Sequence, residues 1–147
     1  MKICIVVSDY YKAIAADLLK GSLNELKKNG YKKIIIKYVS GAFEIPTMIS
    51  CNLKKFDAFI ALGCIIKGET DHYHFISQAV TSGLINLSIS SKKPIGFGIL
   101  TCHNLKQARS RASIVKKNKG KEVALGIISI LKNKWDINLL QQKIQEF

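Results

Sequence analysis

Arginine is nearly missing from this basic chain: of 23 basic residues in 147, only Arg109 and Arg111 are arginine, and the rest are lysine. Acidic residues are also scarce, 10 against those 23, which leaves a formal net charge of +13. Such an excess raises the question of a nucleic-acid partner. The distribution argues against one. The lysines fall in scattered pairs, Lys27-Lys28, Lys32-Lys33, Lys54-Lys55, Lys92-Lys93 and Lys116-Lys117, mostly at the ends of expected elements. No aromatic residues alternate with them, as a base-stacking surface requires. Charge spread this way is the ordinary solvated surface of a folded protein. The two arginines instead share one turn of an expected helix, and the guanidinium fork suits bidentate phosphate binding.

Long apolar runs are absent as well. Ile34-Ile35-Ile36 and the stretch 127–131 fall far short of the roughly 20 residues that span a membrane. Met1 to Val7 is too short an apolar run for a secretory leader, and Ser8-Asp9 closes it without a small-residue cleavage site. A first β-strand accounts for it better, and a cytoplasmic protein without membrane contact is expected. Cys4, Cys51, Cys64 and Cys102 contain no Cys-x-x-Cys pair, so neither a zinc knuckle nor a thioredoxin motif is indicated. Cys4 and Cys64 fall in or at the ends of expected buried strands, where a free thiol behaves as a small hydrophobe. A disulfide framework is not expected in a reducing cytosol. Repeats and low-complexity tracts are missing too, and the polar linker expected over Ser88 to Lys93 does not split the chain. With 48% hydrophobic residues and a mean hydropathy of +0.12, one domain over 1–147 with a sizeable core is expected.

Strands and helices alternate along the chain. Met1 to Val7, Lys33 to Val39, Phe56 to Cys64 and Pro94 to Leu100 read as strands, the third buried on both faces judging by Ala58-Phe59-Ile60-Ala61-Leu62. Tyr11 to Asn29 carries Ile14, Leu18, Leu19, Leu23 and Leu26 near a 3.6-residue period, and Asn29-Gly30 stops that helix. A short helix is expected from Glu44 to about Leu53 with Pro46 in its first turn, and another from His72 to Ser88. Further helices are expected at about Asn104 to Lys116, from Gly120 to Lys134, and as an amphipathic end over Ile137 to Phe147. The pattern implies parallel βαβ units with right-handed crossovers. The expected fold is a three-layer α/β/α sandwich on a four-stranded parallel sheet, order 2-1-3-4, of the flavodoxin-like kind. Ligands in such sheets sit beyond the carboxyl ends of the strands. Those ends deliver Ser8 to Tyr11, Gly41 to Glu44, Cys64 to Thr70 and Thr101 to Asn104.

Chemistry-bearing residues concentrate there. Gly68-Glu69-Thr70 precedes a helix, where backbone N–H groups and the Thr70 hydroxyl can hold an anion on the positive end of the dipole. Thr70 or Asp71 serves equally as a plain helix cap. His72 falls in the first helical turn, where the dipole disfavours an imidazolium and leaves a ring able to take a proton. A packed or surface histidine is the plainer alternative. His72 and His74 lack the i, i+4 spacing of a helical metal pair, so no metal is expected. Phe43, Glu44 and Tyr10 offer two flat rings and a carboxylate, against which a heteroaromatic ligand can stack and hydrogen-bond by its edge. Singly, they read as a core phenylalanine, a capping glutamate and a surface tyrosine.

Together the segments resemble the 6,7-dimethyl-8-ribityllumazine synthase family of riboflavin biosynthesis over nearly the whole chain. The resemblance rests on five stretches in order: 40–46 (SGAFEIP), 61–73 (ALGCIIKGETDHY), 97–101 (FGILT), Gln107-Ala108 with Arg111, and Asn118-Lys119-Gly120. It implies condensation of 5-amino-6-(D-ribitylamino)uracil with 3,4-dihydroxy-2-butanone 4-phosphate, releasing phosphate and water. It implies that His72 transfers protons, with Glu122 as the acid that orients it. Tyr10 would stack on the pyrimidine; Ala42, Phe43 and Glu44 would meet the ribityl chain; and the backbone of Cys64, Ile65 and Ile66 would line the ring. Glu69 and Thr70 would hold the phosphate by main chain, Arg111 would bind it directly with Lys119 nearby, and Phe97 would close over the ring. Every step moves protons and calls for no cofactor and no metal.

Phe97 lies inside the fourth strand and Arg111 about two turns down the next helix, so neither belongs naturally on the rim that holds His72. The family builds each site between neighbouring subunits, as a pentamer or a sixty-subunit shell. The sequence differs from the family in carrying Asp9-Tyr10-Tyr11 where Arg-aromatic-Asn is usual, Ser40 in place of a proline, and His74 where an acid is common. It lacks both the N-terminal arm of many shells and the insertion near Val115-Lys116 of many pentamers; a pentamer is the expectation. Three other readings stand beside the synthase: a riboflavin synthase of the archaeal type, a flavin- or lumazine-binding module without catalysis, and a basic nucleic-acid binder.

Overall fold

The sheet is centred on β1 (Lys2–Ser8), buried from Ile3 onward because helices cover both its faces. In the computed structural model, which describes residues 1–135 together with 144 and 145, β2 (Lys33–Val39) pairs with β1 in parallel, Lys2 opposite Lys33 through Ser8 opposite Val39. On the other side β3 (Ala58–Ile66) runs parallel to β1, with Ile3 opposite Ala58 and Val7 opposite Leu62. β4 (Ile95–Cys102) follows beside β3, from Phe59 opposite Ile95 to Ile66 opposite Cys102. The order is the expected β2-β1-β3-β4. Among the described residues, α1 (Lys12–Lys28), α2 (Ile45–Ser50) and α3 (His72–Ser91) connect the strands, and α4 (Leu105–Ala112) and α5 (Lys119–Trp135) follow β4.

Strand alternation sorts the core into two layers. Ile3, Ile5 and Val7 of β1 and Ile60 and Leu62 of β3 face Ile14, Leu18 and Leu26 of α1 and Ala124, Ile127, Ile128 and Leu131 of α5. Cys4, Val6, Phe59, Ala61 and Ile99 face the other way, against Ile45 and Ile49 of α2 and Val80 and Leu84 of α3. This is the three-layer arrangement. On the first face α1 and α5 approach closely, since a Cβ at Gly120 would overlap the Leu18 carbonyl and one at Gly21 the Asn118 side chain. The Ser22 hydroxyl donates to the Gly120 carbonyl at 2.9 Å in that seam. Asn118 sits in the left-handed region (φ 44°), and its Oδ1 accepts from the Lys121 N–H, starting α5. The second face is less complete. α3 buries only Val80 and Leu84, and leaves Phe75, Ile85 and Ile89 exposed at 71%, 54% and 69%.

Several element ends differ from expectation. α3 continues past Ser88 to Ser91, because the Ser91 hydroxyl donates to the Leu87 carbonyl and Ser88 donates to that of Lys93. Lys92 then leaves the helix in the left-handed region (φ 58°). α4 ends at Ala112 rather than Lys116, as Ser113 turns extended (ψ 126°) and its carbonyl accepts from Lys116 and Asn118 N–H groups. α2 is shortened to Ile45–Ser50, with single 3₁₀ turns at Ala42–Glu44 and Leu53–Lys55 on either side. β3 and β4 run on to Ile66 and Cys102, which pair with each other. The terminal helix expected over 137–147 lies outside the described residues, apart from 144 and 145. Among the described residues no helix is long and apolar enough to cross a membrane.

Candidate functional site

Two cavities open where the strands end. The first, of about 330 Å³, lies at the carboxyl ends of β1, β2 and β3. β1 ends on Ser8 and is followed by Tyr10 and Tyr11; the turn after β2 supplies Gly41, Ala42, Phe43 and Glu44; β3 supplies Cys64, Ile65 and Ile66; and α3 adds His72 and Ile76. The Tyr10 and Phe43 rings stand at its mouth, 73% and 59% exposed. Tyr11 supports Tyr10 edge to face, with ring centroids 5.0 Å apart. Glu44 folds its carboxylate over Gly41, where an added Cβ would lie 2.9 Å from Oε2. A side chain at position 41 would push that carboxylate aside.

His72 enters the cavity as the first residue of α3. Asp71 is the N-cap, yet its side chain makes no capping bond. The Thr70 Oγ1 accepts weakly from the His72 N–H at 3.4 Å, and the Asp71 carbonyl accepts from the N–H groups of His74 and Phe75 at 3.0 and 3.3 Å. A helix start without a side-chain carboxylate cap keeps its positive pole for an external anion. Glu69 and Thr70 are exposed in the turn leading into it and line neither cavity.

The second cavity, of about 310 Å³, lies behind β4. Phe97, Ile99, Leu100 and Thr101 form its β4 side, Arg111 of α4 and Lys117 of the following turn enter it, and Lys119 and Glu122 of α5 close it. Lys119 Nζ donates to Glu122 Oε1 at 2.7 Å, leaving Arg111 and Lys117 without a carboxylate partner among the described residues. The net field there is cationic.

A pair of thiols lies between the two. Cys64 lines the first cavity, and burial together with the neighbouring Cys102 thiol pushes its pKa up to about 12. Burial raises Cys102 as well, opposed by the Arg111 guanidinium beside it. Both thiols are therefore protonated at neutral pH and act as packing rather than as nucleophiles.

Of the residues singled out in the sequence, the structure brings Tyr10, Ala42, Phe43, Glu44, Cys64, Ile65, Ile66 and His72 together in the first cavity. Phe97, Arg111, Lys119 and Glu122 gather in the second. Within one chain Glu122 therefore pairs with Lys119 and does not stand in the cavity of His72. His74 is separate again, in a shallow hollow with Tyr73, Phe97 and His103 between α3 and β4. Sequence reasoning missed Ile76 in the first cavity and Lys117 in the second. Lys117 reads as half of a surface pair, and the turn over residues 113–118 sets it, still exposed, at the cavity's edge. Ser8 and Thr101 were recognisable as strand ends but not as lining groups.

Comparison with known proteins identifies the family of the sequence. A sequence model of the family described as 6,7-dimethyl-8-ribityllumazine synthase matches residues 1–134. The enzyme of that name from Buchnera aphidicola subsp. Baizongia pistaciae (strain Bp) is 46% identical over 145 residues, 95% of this chain and 89% of that protein. The one from Limosilactobacillus reuteri (strain DSM 20016) is 40% identical over 139 residues, 93% of this chain and 91% of its own length. The chain belongs to the 6,7-dimethyl-8-ribityllumazine synthase family.

Proposed function

We infer that this chain is a 6,7-dimethyl-8-ribityllumazine synthase, condensing 5-amino-6-(D-ribitylamino)uracil with 3,4-dihydroxy-2-butanone 4-phosphate. Beyond family membership, one observation carries the reading. A cavity of small-molecule size joins two exposed rings, a carboxylate over a glycine and a histidine at a helix start.

The reaction divides into three proton-moving steps. The 5-amino nitrogen attacks the ketone carbon, a C–N bond forms, and the carbonyl oxygen leaves as water. Loss of a proton from the adjacent carbon then breaks the C–O bond to phosphate, which departs with the bonding electrons. Departure of phosphate leaves an enol, which becomes a ketone as its hydroxyl gives up a proton and the terminal carbon takes one to form a methyl group. The ribityl-bearing nitrogen then adds to that ketone, and a second water leaves as the ring closes. His72 serves these steps by taking and returning protons at its ring nitrogen. Tyr10 and Phe43 hold the pyrimidine and the ribityl chain, Glu44 accepts from chain hydroxyls, and the backbone of 64–66 borders the ring. Such positioning accounts for much of the rate by holding both reactants in register.

The phosphate end falls to Glu69 and Thr70 at the start of α3, and to Arg111 and Lys119 of a neighbouring subunit. That subunit also brings Phe97 over the ring and Glu122 toward His72. The exposed apolar residues of α3 and of edge strand β2 are the surface across which subunits meet. The assembly we propose is a pentamer, and the protein belongs in the cytoplasm with its soluble substrates.

The test mixes purified protein with both substrates and follows lumazine fluorescence, beside His72→Ala and Arg111→Ala. Formation of lumazine at wild-type rates by both variants would sink the residue assignment. Conversion of lumazine alone into riboflavin would replace the proposed reaction with the next one.

A further inference from the structure

We propose that Ser8 is a further substrate-binding residue, its hydroxyl hydrogen-bonding a hydroxyl of the ribityl chain; the proposal rests on the activity inferred above. Ser8 is the last residue of β1, only 2% exposed, and it lines the first cavity. Its Oγ is buried and has no hydrogen-bond partner among the described residues. Buried hydroxyls in native proteins are nearly always partnered, so one that is not calls for an explanation.

The surroundings narrow the explanation. Alternation along β1 places Cys4, Val6 and Ser8 on the face of α2 and α3, where Cys4 and Val6 sit in an apolar core. Alanine at position 8 would suit that layer without the desolvation cost of a hydroxyl. Opposite Ser8 stands Gly63, where an added Cβ would lie 3.3 Å from Ser8 Cβ and 3.7 Å from Ile45 Cδ1. A glycine and an isoleucine methyl offer no side-chain donor or acceptor. The cavity that Ser8 lines remains, and a serine hydroxyl can turn about χ1 among staggered wells.

The strand order β2-β1-β3 sets Ser8 between the turn bearing Phe43 and Glu44 and the Cys64–Ile66 edge. Glu44 as a carboxylate only accepts, whereas a serine hydroxyl both donates and accepts. A polyol presents both kinds of group, so the two side chains complement each other along it. Occupancy of the cavity thus supplies the partner that the fold withholds.

Ser8→Ala tests this through binding and stability together, measured on the assembled protein. Loss of one neutral hydrogen bond should raise the Kd for 6,7-dimethyl-8-ribityllumazine by about fivefold to tenfold. The Kd for 6,7,8-trimethyllumazine, the same ring with a methyl in place of the ribityl chain, should not change. The ligand-free Tm should stay level or rise, because an unpartnered hydroxyl has been removed. Equal weakening of both ligands would place the contact on the ring or reveal general damage, and overturns the proposal. So does unchanged affinity for the ribityl compound, or a wild-type protein that binds neither ligand. Turnover is measured separately. Selective loss of ribityl affinity without any wild-type turnover sustains Ser8 and removes the activity, while normal turnover and unchanged binding in Ser8→Ala remove Ser8 alone.

Discussion

The cavity at the ends of β1, β2 and β3 carries aromatic rings, a histidine and Glu44, whereas the one behind β4 carries Arg111, Lys117 and Lys119 against Glu122. One is lined mainly by rings and backbone, the other by cations. The parallel sheet keeps them apart within a chain, with Cys64 and Cys102 between them. The proposed reaction draws on the residues of both cavities, and for that reason its site is proposed to form between two chains.

That division can be broken most decisively by dissociation. Activity per subunit should vanish entirely once dilution or mild denaturant separates the subunits, as a sedimentation and turnover series would record. Mixing His72→Ala with Arg111→Ala subunits before reassembly should restore part of the activity, since some interfaces then pair an intact His72 with an intact Arg111. Absence of recovery would return both halves to one chain.

Next in size, His72→Ala should lower kcat by about 10²-fold, the low end for general acid–base catalysis, because buffer can substitute for the lost base. Its KM for the butanone phosphate should hardly move. Arg111→Ala should do the reverse, raising that KM by about 10- to 100-fold, the worth of a hydrogen bond to a charged group. A kcat defect in Arg111→Ala or a KM defect in His72→Ala would blur the contrast between the two cavities.

The smallest effect concerns the thiols between them. Cys64 and Cys4 are pushed up from 9.0 to about 12 and about 11 by burial. The folded form thus retains protons that the unfolded chain releases above pH 9. Stability from these groups is fully present below pH 9 and is lost as pH rises toward their folded values. The Tm should fall progressively above pH 9, and iodoacetamide at neutral pH should modify the exposed Cys51 well before the buried thiols. Rapid labelling of Cys64 would show the wall between the cavities to be open.

Much of the fold was legible because its signals are local and redundant. Runs such as Ala58 to Leu62 are apolar on both faces, Asn29-Gly30 ends a helix by backbone chemistry, and right-handed crossovers fix the strand order. The rim was legible for the same reason, since strand ends locate Tyr10, Phe43, Cys64 and His72 without side-chain detail. What was not legible depends on individual hydrogen bonds. The Ser113 carbonyl ends α4 early and sets Lys117 at a cavity's edge, and residue type alone does not announce that. Serines at 88 and 91 look like linker residues until their hydroxyls are seen bonded to backbone carbonyls at the end of α3. The Glu122 pairing with Lys119 was readable from its i, i+3 spacing, though its place relative to His72 was not.

The seam in which Gly120 meets the Leu18 carbonyl also sets the order of events during synthesis. Ser22 and Gly120, which hydrogen-bond there, are 98 positions apart. α1 leaves the ribosome well before the helix that covers its apolar stripe, since the two bonded residues stand that far apart in sequence. Until then the nascent chain displays Leu18 and Leu26 without their final cover, and contacts this distant in sequence are slow to close. The α1 side of the core is therefore completed only after α5 has been made.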